Sequence, residues 1–251
     1  MRDPITIITT VRDGDAYRDR YFSNLRQILV GPGDHAVIVD DGSTTPLTTP
    51  SDRLNDPRLK IIHPGKIGRG ASLNLAIENS PTDLIAIQDI DDLSLPDRLD
   101  RQVDVLCNNH NQLVFARAVS DPWRPTLAAL QHFSPARLYF SNPLHHSSLA
   151  MHRSVWASAG GYATDLPCCI DLDFYLRACC VAKARISRLS MPLIERTLDP
   201  GNRHFARIPN ALYQKTRASV LARYRPDLPW SIWLAAAKLR ELQLFSARDV
   251  R

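Results

Sequence analysis

The chain has 251 residues, 44% of them hydrophobic and 23% charged, an ordinary globular composition that excludes wholesale disorder. Its net charge of +5 is uneven: from His204 to Arg251 there are nine Lys/Arg against three Asp/Glu, which leaves the upstream part almost neutral. The main body therefore lacks the basic field of a nucleic-acid binder, and no recognition motif for nucleic acid occurs in it.

Ile5 to Thr10 is short, apolar and β-branched, the pattern of a buried parallel strand. Met1-Arg2-Asp3-Pro4 leads straight into it without the apolar stretch of a signal peptide, so the cytoplasm is the expected compartment. Tyr17, Tyr21, Leu25 and Ile28 then mark one face of a helix that Gly31-Pro32-Gly33 stops. Ala36 to Val39 is a second strand and ends at once in Asp40-Asp41-Gly42-Ser43. A third strand is expected over Leu59 to Ile62, a helix over Gly68 to Glu78, and a fourth strand over Leu84 to Ile87.

That fourth strand runs into Asp89-Ile90-Asp91-Asp92, three carboxylates in four residues. Charges so close repel unless a hard cation with oxygen ligands neutralises them, or unless the stretch is a solvated loop leading into the helix at Pro96. The helix runs from about Pro96 to Cys107, and Leu113 to Val119 reads as a fifth strand. Strands alternating with helices predict a doubly wound, mostly parallel sheet, whose ligands bind beyond the carboxyl ends of the strands. Both acidic clusters lie at such ends.

From Asp121 to Asn142 four prolines at or near the stretch predict an irregular connection over the site. A strand over Ser147 to Met151, a short helix over Val155 to Ala159, a turn at Gly160-Gly161-Tyr162, a helix over Asp171 to Cys180 and a strand over Ala184 to Leu193 follow. The five cysteines match no zinc spacing, and their adjacent pairs read as reduced, half-buried small hydrophobes. Beyond Ile208 the chain is basic and helical, and its last helix, about Trp230 to Phe245, has a broad apolar face suited to its own domain, a partner or a membrane surface.

Taken together, Ile7-Ile8-Thr9-Thr10, Val39-Asp40-Asp41-Gly42-Ser43-Thr44, Gly68-Arg69-Gly70-Ala71-Ser72-Leu73-Asn74, Asp89-Ile90-Asp91-Asp92 with Leu95-Pro96-Asp97-Arg98-Leu99, and Gly160-Gly161-Tyr162 followed by Asp171-Leu172-Asp173-Phe174-Tyr175-Leu176-Arg177 resemble the family 2 glycosyltransferases with the GT-A fold. The resemblance covers roughly residues 5 to 205 and implies a nucleotide-sugar donor, usually a UDP-sugar, with inversion at the anomeric carbon. It assigns Thr9, Asp41 and the neighbouring Asp40 to the base and ribose, Arg69 to the uracil and phosphates, and Asp89 to the ribose side. It also assigns Asp91 to a Mn²⁺ or Mg²⁺ ion and Asp171 to the catalytic base. His145, His146, Asp173, Arg196 and His204 are further acceptor or phosphate contacts on this reading.

The resemblance implies a single GT-A domain over residues 1–206, with a nucleotide-sugar half to about residue 120, an acceptor half after it, and a basic helical extension over 207–251. The acceptor class is a growing saccharide or a lipid- or protein-linked glycan, as in synthesis of bacterial-type surface polysaccharides, with peripheral contact to the inner face of a membrane through the tail. Two departures stand out. Ile170 occupies the place of the family's usual Glu before Asp171, and in Glu195 to His204 the Tyr-Arg and His of the family's mobile loop are only partly matched. Ile170 keeps open a rival reading as a nucleotide-sugar- or glycan-binding protein on the same fold. The absence of a Gly-rich Arg/Lys loop after the first strand speaks against a sugar nucleotidyltransferase.

Overall fold

The computed structural model describes residues 2–51, 56–122, 128–197 and 208–224. Among the described residues nine strands form one sheet: β1 (Ile5–Val11), β2 (His35–Asp40), β3 (Leu59–Ile62), β4 (Leu84–Ile87), β5 (Leu93–Ser94), β6 (Gln112–Ala118), β7 (Leu130–Phe133), β8 (Ala150–His152) and β9 (Arg185–Glu195). Their order is β3-β2-β1-β4-β8-β6-β9-β5, with β7 also on β9. The β3-β2-β1-β4 half is parallel, β8 runs antiparallel between β4 and β6, and β6 and β9 are parallel. The result is a GT-A-like α/β fold with a mixed sheet.

Alternation along each strand makes it a three-layer structure. Ile8, Val37, Val39, Ile85, Ile87, Leu113 and Phe115 face one core, which α2 (Arg69–Glu78), α4 (Arg153–Ser158), α5 (Ile170–Cys180) and α6 (Asn210–Arg223) cover. Ile5, Ile7, Ala36, Ile38, Leu84, Ala86, Val114 and Ala116 face the other, under α1 (Arg18–Ile28) and α3 (Arg98–Asn108). The central strands are largely apolar because both faces are covered, and the polar residues they bury, such as Thr6 and Thr9 of β1, find hydrogen-bond partners.

Most elements lie where the periodicity predicts them. Two strands are missed: β5 is only two residues long, and β7 sits within the stretch read as irregular. The expected strand at Ser147 begins three residues later, because residues 146–148 form a 3-10 turn that buries Ser147 and Ser148. The last helix at 230–245 and His204 lie outside the described residues. Among the described residues no helix is long and apolar enough to cross a membrane.

Candidate active site

β1 is the point from which the chain winds outward in both directions, to β2 on one side and β4 on the other. At such a switch point the connections leave a crevice at the carboxyl ends. Asp40 and Asp41 end β2, and Asp89 to Asp92 follow β4. Hydrogen bonds from Asp41 N to Val11 O and from Gln88 N to Ile8 O tie both ends to β1.

On the β2 side the two carboxylates do different work. Asp40 is buried and accepts from the backbone N–H of Ser43 and of Leu47, so it folds the loop after β2. Burial alone would raise its carboxyl, but the bonds from Ser43 and Leu47, with the nearby His63, hold it below the ordinary range. Asp41 accepts at 2.7 Å from the N–H of Ile67 and of Gly68, which sets the approach to α2. Gly68 has φ +90°, and a Cβ on Gly70 would lie 2.0 Å from the carbonyl oxygen of Ala163, so this glycine lets the start of α2 press against the chain after the Gly160-Gly161 turn. Asn74 locks that contact: it accepts from Trp156 Nε1 and Tyr162 N and donates to Tyr162 O.

Arg69 is thereby carried beside the acidic loop that follows β4. Its Nη2 donates to Asp89 Oδ1 at 2.7 Å and lies 3.5 Å from His146 Nδ1, while His146 Nε2 is 3.0 Å from the Tyr162 hydroxyl. Burial and the Arg69 charge push the His146 imidazole down to about 4, so it is neutral at pH 7.

Asp89, Asp91 and Asp92 each offer an oxygen within 4.8 Å of the others. Asp92 is fastened, accepting from Ser147 Oγ and from Thr197 N, while the Thr197 hydroxyl bonds to Asp91 O. Burial, with repulsion from Asp89 and Asp92, pushes the Asp91 carboxyl up to about 6. An all-oxygen set of this kind fits a hard divalent cation, and with Asp92 fastened and Asp89 paired to Arg69, Asp91 is the member left to hold it.

Beneath the cluster lies Arg98, 1% exposed, which sequence reading did not single out. It donates to Gln102 Oε1, Ser94 Oγ and Ile87 O, and burial lowers it to about 10, still charged at pH 7. Asn24, Gln88 and Ser94 complete this buried network under the acidic loop. The sequence signal was faint: an arginine and a glutamine at i, i+4 on a helix otherwise read by its apolar face. Arg98→Ala is expected to lower stability by about 2–4 kcal/mol, because it leaves several buried acceptors unpaired; thermal and urea unfolding measure it.

Other sequence-named residues fall in different places. Thr9 is fully buried, with its hydroxyl donating to Gln88 O and accepting from Tyr21, so it braces β1 inside the fold instead of facing a ligand. Asp173 is likewise buried and takes Arg177 Nε and Nη2, while Arg177 Nη1 donates to Ala159 O and Gly161 O; this pair staples the glycine turn and is not open to an acceptor. His145 Nε2 is held at 2.7 Å by Asp121. Arg196 lies within electrostatic reach of Asp92 and His145. Asp171 is half-buried in the first turn of α5, and Asn142 donates to its Oδ2 at 3.2 Å. Ile170 is 9% exposed in the core, so packing accounts for an apolar residue there.

The family model described as "Glycosyl transferase family 2" matches residues 6–158, which contain β1 from Thr6 onward, both acidic clusters and Arg69. The chain belongs to glycosyl transferase family 2. Among curated proteins, none matches its sequence. Its fold is similar to the crystal structure of residues 1–349 of S. aureus TarS, with a TM-score of 0.67 and 16% identity over 90% of this chain and 67% of that one. The same TarS fragment in complex with UDP-GlcNAc gives a TM-score of 0.69 at 17% identity, with 90% and 68% covered. Its complex with UDP gives 0.66 at 17%, with 90% and 67% covered. Against the longer TarS crystal structure the chain spans 40% of the length. At these identities the likeness is one of fold, and the family 2 membership rests on the family-model match over residues 6–158.

Proposed function

We propose that this family 2 glycosyltransferase moves a sugar from a UDP-sugar to an acceptor hydroxyl with inversion. The observation that carries the reading is that the Asp89-Asp91-Asp92 oxygens and the half-buried Asp171 at the start of α5 gather around one arginine, Arg69, which pairs with Asp89 and is within electrostatic reach of Asp91 and Asp171. The UDP and UDP-GlcNAc complexes of the similarly folded TarS support a uridine donor. Asp41, which holds the loop at Ile67 and Gly68, is assigned to the base and ribose, Asp89 to the ribose side and Asp91 to the metal. When bound there, Mn²⁺ or Mg²⁺ supplies positive charge against the leaving diphosphate. Arg69 adds a second cation on the same side.

On the opposite side Asp171 takes the proton of the acceptor hydroxyl as its oxygen attacks the anomeric carbon, with Asn142 holding the carboxylate. The acceptor half runs from about residue 121, and the acceptor itself is a saccharide or a lipid- or protein-linked glycan of the surface-polysaccharide type. The basic tail after residue 207 is assigned to a membrane surface or a partner. Donor hydrolysis tests the stereochemistry without an identified acceptor. Proton NMR of a UDP-α-sugar incubated with protein and Mn²⁺ is expected to show the β-anomer released first; the α-anomer first would overturn inversion.

A further inference from the structure

Among the described residues two buried hydroxyls lack a hydrogen-bond partner, Ser72 Oγ and Tyr175 Oη. Tyr175 is the informative one. The equally buried Tyr21 and Tyr162 are both partnered, by Thr9 and by His146, whereas Tyr175 is fully buried with its hydroxyl unsatisfied. Its ring is enclosed by Phe115, edge-on at 5.0 Å, and by Phe174 and His146 at 6.4 and 6.3 Å. Such an aromatic box would take a phenylalanine without the cost of an unpaired hydroxyl. The ligand-free fold therefore gives no account of the oxygen.

Its surroundings do. Tyr175 lies four residues after Asp171 on the same face of α5, and its hydroxyl is within electrostatic reach of Asp171, Asp89, Arg69 and Tyr162. Two carboxylates and a dry setting keep it protonated, so it is a donor. Its ring lies beside His146, itself next to Arg69, so the hydroxyl is near both the Arg69–Asp89 pair and Asp171, the two groups that the proposed reaction puts on either side of the transferred sugar.

We propose that the Tyr175 hydroxyl is a donor-sugar contact, giving a hydrogen bond to a hydroxyl oxygen of the transferred sugar; this rests on the reading of the site as a UDP-sugar site. Arg69 exchanges Asp89 for the diphosphate as the donor binds, and the site opens to the sugar ring.

The test compares wild type with Tyr175→Phe in three measurements: the melting temperature without ligand, calorimetric affinity for UDP with Mn²⁺, and affinity for and hydrolysis of UDP-glucose, UDP-galactose and UDP-N-acetylglucosamine with Mn²⁺. The expected result is a melting temperature equal to or above wild type and UDP affinity unchanged within about twofold. Affinity or hydrolysis for the accepted UDP-sugar should fall about tenfold, the size of one hydrogen bond. An unchanged ratio of UDP-sugar to UDP affinity, with unchanged hydrolysis, overturns the proposal and leaves the UDP-sugar reading standing. Equal weakening of UDP and UDP-sugar overturns it too, because the contact would then be to the diphosphate. Wild-type protein that binds neither UDP nor any UDP-sugar overturns both.

Discussion

Asp91→Ala is expected to abolish Mn²⁺-dependent UDP binding and to lower sugar transfer by roughly 10²-fold or more, since a bound metal supplies several kcal/mol of charge stabilisation to a departing diphosphate. Asp91 carries this expectation because its neighbours are otherwise engaged. Asp92 is held by Ser147 and Thr197, and Asp89 by Arg69. The same substitution should not harm the fold. The Asp91 carboxyl sits at about 6, above the ordinary carboxylate value of 3.8, so its contribution to stability is present at low pH and is lost as pH rises through about 6. Without metal, Asp91→Ala should therefore melt at or above the wild-type temperature at pH 7.5, and the gain should shrink towards pH 4. A collapse in stability at pH 7.5 would show Asp91 to be a structural residue.

The second large effect is expected at Asp171. Asp171→Asn keeps the shape of the side chain and removes its basicity, so transfer should fall by about 10²- to 10⁴-fold while metal-dependent UDP affinity stays near wild type. This split between binding and turnover separates an enzyme from a sugar-nucleotide-binding protein on the same fold. Ile170, the feature that raised the second reading, is buried in the core at the start of α5, so packing accounts for its apolar character. Wild-type protein that binds UDP but neither transfers nor hydrolyses any UDP-sugar would favour the binding protein.

Much of this was legible in the residues because parallel strands covered on both faces leave an unambiguous signal. His35 to Asp40 and Leu84 to Ile87 are mostly apolar runs that lead into carboxylates at the carboxyl edge of the sheet, on either side of the β-branched run Ile5 to Val11. What was not legible is which polar side chains face the cleft and which face inward. Thr9 and Asp173 have the residue types of ligand contacts, yet each has its partner in the fold, Tyr21 and Arg177 respectively. Such pairings span 12 residues in one case and 4 in the other, and nothing in local periodicity distinguishes them from an open site. Arg98 was hidden for the opposite reason. A charged residue at the start of an amphipathic helix reads as surface, and only the tertiary fold shows that Ile87, Ser94 and Gln102 surround it.

Asn74 and Gly70 follow the same rule at longer range. Their partners, Tyr162 and Ala163, are some ninety residues away along the chain, and the contact they make brings Arg69 beside His146. The central claim is a metal-diphosphate site at the carboxyl ends of β1 and β4. Calorimetric titration of the protein with UDP in Mn²⁺ and in EDTA tests it most directly. Strong binding in Mn²⁺ that disappears in EDTA and in Asp91→Ala is the predicted result; equal affinity in all three would contradict it.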